Sequence, residues 1–140
     1  MNISILDDYF DTVRTLACFQ KLKGHEVTVW NDHVQDTDAL AARLKDAECL
    51  VLIRERTPIN RALIEKLPRL KLISQTGHAG SHIDIGACTE RGIAVAEGKG
   101  SPYAPAELTW ALIMSAARRL PQYIGNLKHG AWQQAGLKSA

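Results

Sequence analysis

The stretch that decides the fold is LKLISQTGHAGSHIDIGACTERGIAVAEGKGSPYAPAE, residues 70–107. Its opening, Leu70–Ser74, reads as a buried strand. The loop Gln75–His82, with glycines at 77 and 80, leads into a helix over Ile83–Arg91 that Gly92 stops. Ile93–Ala96 reads as another strand, and Ala106-Glu107 stand at the mouth of a long helix. A strand that empties into a Gly-containing loop before a helix is where open α/β sheets place ligands. No G-x-G-x-x-G fingerprint occurs anywhere in the sequence, so this loop is not a dinucleotide turn.

The same alternation extends back to the first residue. Asn2–Leu6 is an apolar run that ends at Asp7-Asp8 and reads as a strand. Thr12–Lys23 follows as a helix, with Val13, Leu16, Ala17 and Gln20 at helical spacing and Gly24 as its stop. Glu26–Trp30 alternates and is rich in β-branched residues, as a strand requires. Asp36 or Thr37 can cap a helix over Asp38–Asp46. Cys49–Ile53 is apolar throughout, the mark of a central parallel strand covered on both faces. Thr57-Pro58 then offers an N-cap with proline at the first helical position, for a helix running to Leu67 before Pro68.

Five strands separated by helices predict right-handed βαβ units. The expected fold is α/β: a flavodoxin-like, doubly wound parallel five-stranded sheet of order 2-1-3-4-5, over residues 1–101 and followed by long helices. The pattern changes after Val95. Glu97–Ser101 is a polar loop, and Pro102 and Pro105 blur the start of the next helix. Leu108, Trp110, Ala111, Leu112, Ile113, Met114, Ala116 and Ala117 surround that helix, so it must be covered on every side. Pro121 breaks it, a second helix runs to Lys128, and residues 130–140 read as a fraying tail.

With 140 residues the chain can build one real core, and 46% apolar and 23% charged residues are ordinary for a globular protein. A net charge of +2 is too small to argue for nucleic acid or an anionic membrane, and neither is expected as a partner. The three cysteines, Cys18, Cys49 and Cys88, fit no metal spacing and require no oxidising compartment. No apolar run approaches membrane-spanning length, and Met1–Ser4 lacks the basic start of a signal peptide. The expected location is cytoplasmic, by default.

Four strand-end loops can carry a site: Asp7-Asp8-Tyr9, Arg54–Thr57, Gln75–His82 and Glu97–Ser101. In the third, Gly77 and Gly80 let the backbone approach a ligand, and successive N–H groups there can form an anion-binding nest. Arg54 could add a cation whose planar fork suits a carboxylate. The plain alternative is a strand-to-helix turn beside a surface arginine. His78 and His82 are four apart, but Gly80 between them makes the segment a loop, and no metal site is expected. Asp7-Asp8 stand where a phospho-receiver domain carries its Mg²⁺-binding acidic pair. That reading lacks its acceptor aspartate, because Ile53-Arg54 stand at the third strand's end.

Taken together, these segments resemble the NAD-dependent D-2-hydroxyacid dehydrogenase family. Ile53-Arg54-Glu55-Arg56-Thr57 is similar to its strand-end Val-Arg-Ser-x-Thr, and Leu72–Asp84 to its Ile-x-x-x-Gly-x-Gly-x-Asp-Asn-Ile-Asp loop. Gly92-Ile93-Ala94-Val95, Ala106-Glu107-Leu108 and Arg118-Arg119 resemble its Gly-Ile-x-Val, Val-Ala-Glu and Arg positions. Ala79 stands where the family has its second glycine, Ser81-His82 replace Asp-Asn, and Glu55 replaces Ser.

The resemblance implies a substrate domain over residues 1–101 that binds a small 2-keto or 2-hydroxy acid. The N–H groups near Gly77, His78 and Ala79 would hold its carboxylate, with Arg54 close by. It implies that helices 102–129 begin an NAD-binding domain and form a homodimer through helix 106–119. The catalytic Arg, Glu and His, the G-x-G-x-x-G turn and a C-terminal helix returning to the substrate domain would follow Trp132, so this chain alone is expected to be inactive. A non-enzymatic sensing or protein-binding module on the same fold is the alternative.

Overall fold

Five four-residue strands, β1 (Asn2–Ile5), β2 (Glu26–Val29), β3 (Cys49–Leu52), β4 (Leu72–Gln75) and β5 (Ala94–Glu97), form one parallel sheet of order β2-β1-β3-β4-β5 in this computed structural model. All four pairings are parallel, so the expected doubly wound topology is the observed one. The structure describes residues 1–132. The expected tail lies largely outside them. The chain divides into two compact units, Met1–Gly100 and a second that begins at Ser101.

In the first unit, the sheet's two faces are covered differently. On one face Leu50, Leu52 and Ile73 pack under three helices, α1 (Thr37–Leu44), α2 (Arg61–Glu65) and α3 (Ile85–Glu90). Leu44, Ile59, Leu63, Ile64, Leu67 and Cys88 are fully buried there. Each of these helices starts on a side-chain cap. Asp36 accepts from Ala39 N at 2.8 Å, Asn60 from Leu63 N at 3.0 Å and Asp84 from Ala87 N at 2.8 Å. Asp36 thus wins over Thr37 as the cap of α1. The cap of α2 is Asn60, not the expected Thr57, because the Thr57 hydroxyl is committed elsewhere.

The opposite face holds Ile3, Ile5, Val29 and Cys49, with Val13, Phe19 and Leu22 packed on them. The segment that supplies those three is not the expected α-helix over Thr12–Lys23. It forms two 3₁₀ turns, Val13–Thr15 and Ala17–Leu22, divided at Leu16, whose backbone is extended. Its packing residues lie at multiples of three along the chain, the 3₁₀ period rather than the α period. β-Branched Thr12, Val13 and Thr15 further disfavour an α-helical start. Among the described residues nothing comparable covers the far side of this face, where Val51 and Leu72 remain half-buried.

The second unit contains α4 (Tyr103–Ala117) and α5 (Leu120–Lys128). They part at Arg119, whose φ of 52° is left-handed, with Pro121 in the first turn of α5. No described helix is long and apolar enough to cross a membrane.

Candidate functional site

The carboxyl edge of the sheet is built from two kinds of loop. After β1 the chain enters Asp7, whose φ of 60° is left-handed and which is only 3% exposed. Such a backbone is strained for a residue with a Cβ, though aspartate tolerates it better than most. Three partners from two other segments hold it. Thr57 Oγ1 donates to Asp7 Oδ2 at 2.6 Å, His33 Nδ1 lies 2.8 Å from Oδ1, and the Arg56 guanidinium donates to the Asp7 carbonyl at 2.5 Å. Asp8 is equally buried and accepts from Thr12 N, Thr12 Oγ1 and Val13 N at 3.1, 3.1 and 2.9 Å. Every oxygen of this acidic pair is engaged by protein donors, which is the arrangement of a structural anchor rather than of an Mg²⁺ pair.

The loops after β3, β4 and β5 are more open. Sheet register places Gln75 beside Leu52 on one side and Glu97 on the other. Gln75 is 2% exposed and spans two loops: its Nε2 donates to the Arg54 carbonyl at 3.1 Å, and its Oε1 lies 3.2 Å from His82 Nε2. The amide of Arg54 donates to Thr76 Oγ1 at 3.4 Å. Like Asp7, Arg54 has a left-handed φ of 60°, and its side chain is exposed. The backbone at Arg54 is therefore tied to the start of the Gln75–His82 loop.

Within that loop the amides of Gly77, His78 and Gly80 donate to no group among the described residues. Ala79 N donates to Glu97 Oε2 at 2.8 Å, and the His78 Nδ1 is 2.8 Å from the same oxygen. The hydrogen bond from Ala79, aided by the nearby His78, holds the Glu97 carboxyl below the usual glutamate range. The buried His82 Nδ1 has no partner among the described residues and faces Gly80, where an added Cβ would lie 3.6 Å away. Gly98 donates to the carbonyls of Gln75 and Gly77 at 3.1 Å each, which joins the β5 end to the loop through backbone alone. A Cβ at Gly98 would meet the Thr76 carbonyl oxygen at 3.0 Å, so the close approach needs glycine.

Of the residues expected from sequence, Gly77, His78 and Ala79 share this one loop, and Arg54 stands at the adjoining strand end. Gln75, His82 and Glu97 are further members, which the sequence reading placed in candidate loops without giving them a role in the site. A polar residue closing the apolar run of β4 was the available sign for Gln75. The Glu97 contact depends on sheet register, which no local pattern encodes. The described residues contain no group of three or more His, Cys, Asp or Glu that could hold a metal.

The sequence model of one family, described as D-isomer specific 2-hydroxyacid dehydrogenase, catalytic domain, matches residues 4–134. The D-3-phosphoglycerate dehydrogenase of Methanocaldococcus jannaschii is 39% identical over 102 residues, which are 72% of this chain and 19% of that enzyme. Among solved structures, a phosphoglycerate oxidoreductase from Vibrio cholerae is 58% identical, with a TM-score of 0.79 over 98% of this chain and 44% of its own. A D-lactate dehydrogenase from Aquifex aeolicus, complexed with NAD and lactic acid, is 25% identical, with a TM-score of 0.69 over 95% of this chain and 39% of its own. The chain thus spans about a fifth of the curated relative and less than half of either solved chain.

Proposed function

Because the chain belongs to the D-isomer specific 2-hydroxyacid dehydrogenase family, we propose that it is the substrate-binding portion of an oxidoreductase that transfers hydride between NAD(H) and a D-2-hydroxy acid or its 2-keto acid. The observation that carries this reading is the run of unengaged amides at Gly77, His78 and Gly80, at the carboxyl end of β4. Backbone N–H groups left free within one loop can bind a carboxylate without the reorganisation that flexible side chains need. In this reading the amides near Gly77, His78 and Ala79 fix the substrate carboxylate, and Arg54 adds positive charge beside it. Holding the carboxylate fixes the adjacent carbon, the one that gains or loses hydride.

The described residues do not fit a dinucleotide. The first strand opens into Asp7-Asp8-Tyr9, where two carboxylates replace the glycines a pyrophosphate requires. NAD, the acid/base that moves the proton, and turnover are therefore assigned to residues outside those described, and residues 102–129 to the start of the cofactor-binding domain. The hollow over Ile3, Cys49, Val51 and Leu72 is suited to a helix returning to the open sheet face. Amide chemical shifts of the 140-residue chain during titration with pyruvate test the site. Shifts should centre on residues 77–80, and shifts confined to Asp7–Phe10 would refute it. NADH fluorescence should register no micromolar binding by this chain.

We further propose a homodimer through helix 106–119. Trp110 and Leu112, 64% and 61% exposed, lie in α4 with Leu108, Ile113 and Met114, which are exposed too. Burying each large apolar side chain is worth about 1.5–3 kcal/mol, enough in sum to drive association of so large a patch. Light scattering at micromolar concentration should give a dimer that Trp110→Asp dissociates. A monomeric parent chain would refute the assignment.

A further inference from the structure

Among the described residues, the one amide of the 77–80 loop that a side chain engages is engaged by a carboxylate. Glu97 Oε2 accepts from Ala79 N at 2.8 Å, with His78 Nδ1 at the same distance. This is the contact expected of a bound carboxylic acid, made here by the chain itself. The link is not needed to keep the loop beside β5, because Gly98 N–H already bonds the Gly77 carbonyl. Nor is it locked in place: the Glu97 side chain is 49% exposed, and its partner His78 is 81% exposed.

We propose that Glu97 is a resident carboxylate in the anion site of this loop, and that a substrate carboxylate must displace it to bind. The inference rests on the reading that residues 77–79 receive the substrate carboxylate. Two anions cannot share one N–H donor at hydrogen-bond distance without strong repulsion. Each binding event therefore exchanges the Glu97 hydrogen bonds for those of the substrate. Glu97 sets a threshold: a carboxylate that the other loop amides and Arg54 grip poorly does not dislodge it. On release, Glu97 closes back over Ala79. The residue is thereby a determinant of affinity and selectivity that touches the same atoms as the substrate.

Calorimetric titration of the 140-residue chain with pyruvate, alongside amide shifts, tests this. Glu97→Ala should bind about tenfold more tightly than the parent, the effect of removing one charge-assisted competitor. Glu97→Gln retains an oxygen acceptor without the charge and should also bind more tightly, by a smaller factor. Glu55→Gln removes a carboxylate of the neighbouring strand-end loop that makes no hydrogen bond to Ala79, and should gain much less. In the parent chain the Ala79 amide should shift together with the Glu97 carboxyl carbon as pyruvate is added. Equal or weaker binding by both Glu97 variants, with shifts still centred on Gly77 and His78, would overturn the displacement and leave the site reading intact. Equal gains in Glu55→Gln would overturn it as well. Absence of shifts at residues 77–80 in every variant would overturn both.

Discussion

Two loops on the same sheet edge hold carboxylates in opposite ways. At the end of β1, Asp7 is 3% exposed and gathers partners from Thr57, His33 and Arg56, residues 26 to 50 positions away in sequence. At the end of β5, Glu97 is half-exposed and reaches one backbone amide and one exposed histidine. The first carboxylate cannot leave without stranding the buried Thr57 hydroxyl and a nitrogen of part-buried His33. The second can leave at a smaller cost, since it is half-exposed and has fewer partners. An anchor and an exchangeable contact thus differ in burial and in number of partners, not in residue chemistry. The anchor pins the first loop and sets the Arg56–Thr57 end of the second. The open loop is left with amides that no group among the described residues has claimed.

Removing the anchor should have the largest effect. Asp7→Ala strands the Thr57 hydroxyl and a His33 nitrogen and places alanine at a left-handed φ. Losing partners for two such groups should cost roughly 3 kcal/mol of stability. Asp7→Asn keeps an oxygen and tolerates the backbone, and should lose less. Urea denaturation followed by circular dichroism measures both. If Asp7→Ala were as stable as Glu97→Ala, the distinction between anchor and exchangeable contact would fail.

The next effect is at the seam between the open loops. Gly98→Ala pushes a methyl group to 3.0 Å from the Thr76 carbonyl oxygen, a backbone atom that cannot rotate aside. The β5 end must then draw away from the 76–80 loop, at about 1–2 kcal/mol. Pyruvate affinity should fall with it, since the Gly98 hydrogen bonds to Gln75 and Gly77 hold the loop in place. Unchanged stability together with unchanged affinity would show that the seam does not shape the site.

The fold was legible because strands and helices leave different periods. Cys49–Ile53 announces a central strand, although its second face is covered only in part, at half-buried Val51, and Gly24 and Gly92, with φ of 89° and 65°, mark real stops. What failed was local inference where distant groups decide. Thr57-Pro58 has the form of a helix start, yet the hydroxyl is taken by Asp7, fifty positions earlier. The helix then begins at the next available cap, Asn60. Residues 12–23 contain apolar positions that satisfy both an α and a 3₁₀ spacing. Packing of Val13, Phe19 and Leu22 on the sheet selects the latter. The Gln75–His82 loop stood out by its glycines, whereas the Gln75 and Glu97 contacts arise only when β3, β4 and β5 come into register.

The smallest expected effect is also the sharpest test of the contrast. The Ala79 hydrogen bond lowers the pKa of Glu97 in the folded chain, so folding binds this proton less tightly than the unfolded chain does. Its stabilisation is therefore fully present above the ordinary glutamate range and is lost as the pH falls through the lowered folded value. Because the group is open to solvent, the effect on global stability is small and weakens further with salt. It should be clear locally. The Glu97 carboxyl carbon should titrate below an unstructured glutamate, and the Ala79 amide should shift in step with it. In Glu97→Gln the Ala79 transition should vanish while the rest of the acid titration is retained. A Glu97 that titrates in the ordinary range, with Ala79 indifferent to it, would mean that the carboxylate does not sit on this amide in solution.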